Sequence, residues 1–123
     1  MNILGVDYGR SKIGLAISEG KLAEPYKVIR VNNFADAVEK VFRVINQLGV
    51  TKLVVGISEG EMGKEQIRFA KELGAETFDE TLSTQDAQKY SIAAGIKRKT
   101  RKEMEDAFAA SIMLQNYLDV NSI

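Results

Sequence analysis

The first 18 residues, MNILGVDYGRSKIGLAIS, constrain the fold of this chain more than any other stretch. Asn2 to Val6 is a short apolar run, which is typical of a strand buried on both faces. Tyr8 to Ser11 has the composition of a turn, and Lys12 to Ser18 resumes a strand with apolar residues on one parity. The stretch therefore predicts two adjacent strands joined by a tight glycine turn, with Asp7 at the end of the first strand.

Asp7 is the chemically informative residue of this stretch. An ionised side chain at the end of a buried strand is costly unless a positive group balances it. Gly9 lets a ligand come close to the backbone, so an acid at this edge suggests a cation or phosphate site. The alternative is that Asp7 only begins the turn, as aspartate often does.

The length and composition limit the kinds of protein and of site. A chain of 123 residues predicts a single domain spanning residues 1–123. It has no membrane-length apolar run and no apparent signal peptide, which favours a cytoplasmic location without membrane association. Cysteine and histidine are both absent, so any metal must be held by oxygen ligands, which indicates Mg²⁺ or Mn²⁺.

The net charge is zero, but the cations are unevenly distributed. Five of the 17 cations fall within six residues, which leaves 12 cations against 17 anions in the rest of the chain. The cluster consists of Lys97, Arg98, Lys99, Arg101 and Lys102. A basic patch on an acidic body suits contact with a phosphate backbone. A solvated charged loop before a helix is the alternative.

Apolar periodicity and cap residues predict the remaining elements. Further strands are expected at Glu24–Val31, Lys52–Ile57 and Glu76–Glu80. Helices are expected at Phe34–Leu48, at roughly Lys64–Leu73, at about Thr84–Ala93, and from a T-x-x-E capping box at Thr100 to about Leu118.

Details of the first two helices can also be predicted. Asn32-Asn33 can cap the first helix, and Phe42 belongs to its apolar stripe. Ser58 to Lys64 should be a loop, and Ile67 should lie on the buried side of the second helix.

The order β-β-β-α-β-α-β-α-α predicts an α/β fold. Three strands that can lie antiparallel, followed by crossovers to parallel strands, give a mixed five-stranded sheet with helices on both faces. This order is similar to the ribonuclease H-like arrangement.

Three acids fall at comparable places in this arrangement. Asp7 closes the first strand, Glu80 closes the fifth, and Asp106 falls in the second turn of the last helix. Ligand sites in such sheets form beyond the carboxyl ends of the strands, so the three carboxylates could share two divalent cations for phosphodiester hydrolysis. Taken singly, Glu80 could be a solvated strand end and Asp106 part of a polar helix face.

Four motifs resemble one known family. GVDYGRSKIGLAIS, LVVGIS, FDETLSTQDA and DAFAASIMLQNYL, in this order and spacing, closely resemble the YqgF/RuvX family over Asn2 to about Leu118. Its members are described as Holliday junction resolvases and as nucleases that mature the 5′ end of pre-16S ribosomal RNA. The resemblance implies a ribonuclease H-like fold.

The resemblance also implies site residues. It assigns catalysis and metal binding to Asp7, Glu80 and Asp106, and sets Arg10 and Lys12 beside them. Glu103, one helical turn before Asp106, is a candidate fourth metal ligand or only the capping residue of its helix.

Two features depart from the family pattern. The segment Ile57 to Gly63 is shorter than the usual loop and lacks its proline and asparagine. Thr81 stands where an arginine usually follows the second acid, which removes one phosphate contact.

Three functions are therefore compared. The first is a Mg²⁺- or Mn²⁺-dependent endonuclease acting on ribosomal RNA precursor or branched DNA, as a monomer or weak dimer. The second is a nucleotide-binding enzyme, because Asp7-Tyr8-Gly9 is also similar to the phosphate loop of actin-like ATPases. The third is a non-catalytic RNA-binding module on the same fold.

Overall fold

The fold is a mixed five-stranded sheet with helices on both faces, as the sequence predicts. The computed structural model describes residues 2–79 and 103–121. In chain order the elements are β1 (Ile3–Tyr8), β2 (Lys12–Ser18), β3 (Ala23–Arg30), α1 (Phe34–Leu48), β4 (Lys52–Ile57), α2 (Glu61–Leu73), β5 (Glu76–Asp79) and α3 (Glu105–Asn121). The sheet order is β3-β2-β1-β4-β5. The predicted helix at about Thr84–Ala93 lies outside the described residues.

The hairpin and the crossovers give the sheet its mixed character. β1, β2 and β3 pair antiparallel, whereas β4 pairs parallel to β1 and β5 pairs parallel to β4. β1 continues to Tyr8, so Asp7 lies within the strand and not at its end. Leu4, Val6 and Tyr8 belong to the core beneath α1 and α2. Side chains alternate along a strand, so Asp7 lies on the opposite face, which α3 covers.

β3 is an edge strand, and Pro25 fits it for that reason. Proline cannot donate a ladder hydrogen bond, so it is confined to edges and bulges. The register between β2 and β3 shifts between Leu15 and Ala16, and Ala16 is the residue that Pro25 faces. The bulge therefore accommodates the missing donor.

α1 has the predicted bounds and caps. The Asn33 side chain accepts a hydrogen bond from the Asp36 backbone N–H at 2.8 Å, and Gly49 ends the helix in the left-handed conformation. The prediction that Phe42 belongs to the apolar stripe was wrong, because its side chain is 41% exposed. Ala37, Val41 and Val44 form the buried face of the helix, and Phe42 lies beyond its margin.

α2 begins earlier than the sequence predicts. It starts at Glu61, so the prediction of a loop through Lys64 was wrong. Ile67 is 40% exposed and was wrongly assigned to the core. The buried face of α2 instead consists of Gly63, Gln66, Phe69 and Ala70. Because a glycine and a glutamine lie on this face, its residues do not form the apolar pattern that usually identifies the buried side of a helix.

α3 packs against β1, β2 and β3 through small residues of the sheet. A side-chain carbon added at Gly5 would lie 2.9 Å from Cβ of Leu114, which is closer than carbon atoms normally approach. Ala16 is fully buried in the same layer. Because α3 begins at Glu105, Asp106 lies in its first turn and not in the second.

Within residues 2–79 and 103–121, no helix has the length and apolar character needed to span a membrane.

Candidate active site

Asp7 and Asp106 are brought to one corner of the sheet by Gly14. Asp7 in β1 is the direct register partner of Gly14 in β2. The backbone of Asp106 lies so close over Gly14 that a side chain there would collide with the Asp106 carbonyl group, and its Cβ would be 2.8 Å from the Ala107 nitrogen. Gly14 is therefore the residue on which the first turn of α3 rests, directly beside the strand that carries Asp7.

Lys12 lies at the same corner. Its Nζ is 3.4 Å from Oδ2 of Asp106, and the Asp106 side chain is 36% exposed. Lys12 and Gly14 lie on the same face of β2, because residues two apart in a strand point the same way. An ion pair this exposed contributes little to stability. It does keep a cation beside the carboxylate.

Arg10 is held by α2. Its Nε donates to Oε2 of Glu65 at 2.8 Å, and the Tyr8 hydroxyl donates to the other carboxylate oxygen at 3.1 Å. The Arg10 hydrogen bond holds the pKa of Glu65 below its ordinary value. Burial, followed by the hydrogen bond to Glu65, raises the pKa of Tyr8. The cluster fixes the β1–β2 turn onto α2.

The side chain of Gln66 forms hydrogen bonds at the carboxyl ends of both β1 and β4. The ladder between these strands ends with Val6 paired to Val55. Beyond it, the buried Gln66 Nε2 donates to the Tyr8 carbonyl at 3.2 Å, and Oε1 accepts from the Ser58 N–H at 2.7 Å and the Ser58 hydroxyl at 3.0 Å. The amide thus fixes the strand end next to Asp7. A glutamine in a helix gives no sequence signal of such a contact.

Of the other predicted site residues, one is described by the structure and the rest are not. Glu103 is exposed and precedes the first residue of α3. Glu80, Lys97, Arg98, Lys99, Arg101 and Lys102 lie outside the described residues. Glu80 follows directly on Asp79, the last residue of β5.

The donor set fits a hard divalent cation. Among the residues that the structure describes, no group of three or more acidic, histidine or cysteine side chains could hold a metal ion. Asp7 and Asp106 nevertheless supply carboxylates at one corner, and the chain has neither histidine nor cysteine. Carboxylate oxygens are the ligands that Mg²⁺ and Mn²⁺ prefer.

The fold is shared with two solved structures of Thermus thermophilus RuvC. A structure described as Thermus thermophilus RuvC in complex with Holliday junction substrate superposes with a TM-score of 0.62 at 16% sequence identity, covering 99% of this chain and 97% of that one. A second Thermus thermophilus RuvC structure gives a TM-score of 0.53 at 14% identity, with coverage of 99% and 98%. At this identity the likeness concerns the fold.

Sequence comparison identifies the family. A relative from Bacillus cytotoxicus, named "Putative pre-16S rRNA nuclease", is 33% identical over 97% of this chain and 98% of its own. A relative of the same name from Thermoanaerobacter pseudethanolicus is 36% identical over 97% and 96%. The family profile described as "RuvX: Holliday junction resolvase" matches residues 1–120, and the chain therefore belongs to the RuvX family.

Proposed function

We propose that this protein is a metal-dependent endonuclease that hydrolyses phosphodiester bonds during 5′-end maturation of pre-16S ribosomal RNA in the cytoplasm. The observation that carries the proposal is the close approach of the Asp106 backbone to Gly14, the register partner of Asp7. It sets two carboxylates at one corner, where the first turn of α3 meets the sheet. Family membership and the names of the relatives support the reaction and substrate.

The acidic and the basic residues of the candidate site have different roles in this mechanism. Asp7 and Asp106 would hold the divalent cations together with Glu80, with Glu103 as a candidate fourth ligand. Such cations, when bound, activate water for attack on phosphorus and stabilise the leaving oxygen. Lys12, whose ammonium lies beside Asp106, contacts the substrate phosphate. The Lys97–Lys102 cluster supplies further cations for contact with the phosphate backbone.

The direct test is cleavage of a labelled pre-16S RNA fragment in Mn²⁺ by the wild type and by Asp7→Asn and Asp106→Asn. Both variants should lose at least about 100-fold in rate, the scale expected when a group that positions the reacting atoms is removed. Asp119→Asn is the matched control, because Asp119 lies on the same helix, near its far end, and accepts a hydrogen bond from Gln115 at 3.1 Å. Wild-type activity in Asp7→Asn would refute the mechanism. Binding of RNA with no cleavage by the wild type would favour a non-catalytic RNA-binding module.

The description of the family profile supports a second function, resolution of branched DNA. The same assay on a four-way DNA junction separates the two functions. Rapid, symmetric cleavage of the junction with no cleavage of the RNA precursor would favour the resolvase.

A further inference from the structure

Two cations lie directly opposite each other at the sheet edge nearest Asp106. Lys12 in β2 and Arg30 in β3 are register partners. Partners in an antiparallel ladder point to the same face, so Arg30 lies on the face that carries Asp7 and α3. Like charges directly opposite each other in a ladder are destabilising. Fold stability therefore does not explain the pair.

The two cations differ in whether an acidic side chain neutralises their charge. Lys12 has Asp106 as its partner. Arg30 is exposed, and within residues 2–79 and 103–121 no ion pair includes it. Its carbonyl accepts a hydrogen bond from Lys40 Nζ at 2.8 Å, and that ammonium is itself paired with Asp36 at 3.2 Å. Of these three cations, Arg30 alone has no acidic partner within the described residues.

The backbone at Arg30 is well fixed. The Val31 N–H donates to the Ser11 carbonyl at 2.9 Å, and this hydrogen bond closes the end of the β2–β3 ladder. Strand spacing and rise put Cα of Arg30 about 12 Å from Cα of Asp7, since β3 is two strands away and Arg30 is two residues farther along. An extended arginine can therefore reach a neighbouring phosphate of a strand whose scissile bond lies at the acids. The planar guanidinium also suits two-point contact with phosphate oxygens.

We propose that Arg30, together with Lys12, binds a backbone phosphate of the nucleic-acid substrate, so that the strand crosses the β2–β3 edge on its way to Asp7 and Asp106. This inference rests on the proposed nuclease function and assigns a path to the substrate. Because β3 is an edge of the described five-stranded sheet, none of the described strands lies beyond it on this path.

The test measures binding separately from cleavage. Fluorescence anisotropy of a labelled single-stranded RNA in EDTA gives Kd at several KCl concentrations for the wild type, Arg30→Gln and Arg30→Lys. Removal of one phosphate contact should lower the slope of log K against log salt by about 0.7, which corresponds to about fivefold weaker binding at 0.1 M salt. Arg30→Lys should retain most of the wild-type slope.

Lys27→Gln is the matched control. Lys27 lies on the same strand but pairs with Leu15, so its side chain is on the opposite face, with its ammonium 5.4 Å from the Tyr26 ring centroid. Its slope should equal that of the wild type. An unchanged slope in Arg30→Gln, with normal binding and cleavage by the wild type, would overturn this inference alone. Failure of the wild type to bind RNA or a DNA junction at low salt would overturn the proposed function as well.

Discussion

Replacing Gly14 by alanine tests whether the backbone contact between Gly14 and Asp106, beside Asp7, governs activity. The added Cβ would lie 2.8 Å from the Ala107 nitrogen and closer still to the Asp106 carbonyl group. Optimal van der Waals separation is about 3.5 Å, so the first turn of α3 must move away by about 0.7 Å at Ala107 and by more at Asp106. The neighbouring atoms belong to the backbone, so no side chain can rotate to relieve the contact.

Two consequences of different size are expected. Overpacking a buried contact typically costs about 1–3 kcal/mol of unfolding free energy. A displacement of about 1 Å between catalytic groups can lower the rate about 100-fold. The Gly14→Ala protein should therefore remain folded at 25 °C, with a lowered Tm, while the cleavage rate per folded molecule falls much further than the stability change explains.

The assay compares Gly14→Ala with Gly5→Ala. The Cβ of the control would meet Leu114 at 2.9 Å on the same helix. This contact is about 12 Å along α3 from Asp106, at 1.5 Å per residue. Thermal unfolding and RNA cleavage in Mn²⁺ are measured for both. The reasoning is refuted if Gly14→Ala is as active per folded molecule as Gly5→Ala.

Two further predictions concern contacts away from this corner. Gln66→Leu leaves the partly buried Ser58 N–H and the buried Tyr8 carbonyl without their partner, so denaturant unfolding should show a loss of about 2–4 kcal/mol. Mn²⁺ binding, followed calorimetrically, should also weaken, and unchanged binding would contradict a link from Gln66 to Asp7. Glu76 accepts from the Tyr117 hydroxyl at 2.6 Å, and this hydrogen bond, followed by Lys52, lowers the pKa of Glu76. The stabilisation that ionised Glu76 gives the folded protein is present above the unfolded-state pKa of about 4.3, and it is lost as pH falls through the lower folded-state value. Glu76→Gln should therefore destabilise the folded protein at pH 7 and not near pH 3. Equal destabilisation of the variant at both pH values would contradict this assignment.

Local signals explain which elements could be predicted from the sequence. α1 and β4 have the predicted bounds, because Asn33, Gly49 and an unbroken apolar run mark them without reference to the rest of the fold. The start of α2 was missed because Gly63 indicates a loop by composition. In the structure, this glycine lies inside the helix and lets it approach the Ser58 carbonyl. Only this contact with Ser58 explains why a glycine is needed at position 63.

The same distinction applies to the candidate site. Asp7 can be selected from the sequence because an acid interrupts an apolar strand pattern there, and both Asp7 and Asp106 can be selected because the family resemblance assigns them. Gly14 and Gln66 could not be selected, since their roles depend on which backbone lies opposite them. Residues that position the acids are therefore less visible in the sequence than the acids themselves.

The location of Asp106 in the first turn of α3 has an electrostatic consequence. Two carboxylates at one corner repel each other, which raises the free energy of the folded chain. The N-terminus of a helix carries a partial positive charge that stabilises nearby anions by about 0.3–1 kcal/mol each. Lys12 adds a full positive charge 3.4 Å from Asp106. The close contact at Gly14 is what directs this end of α3 toward Asp7.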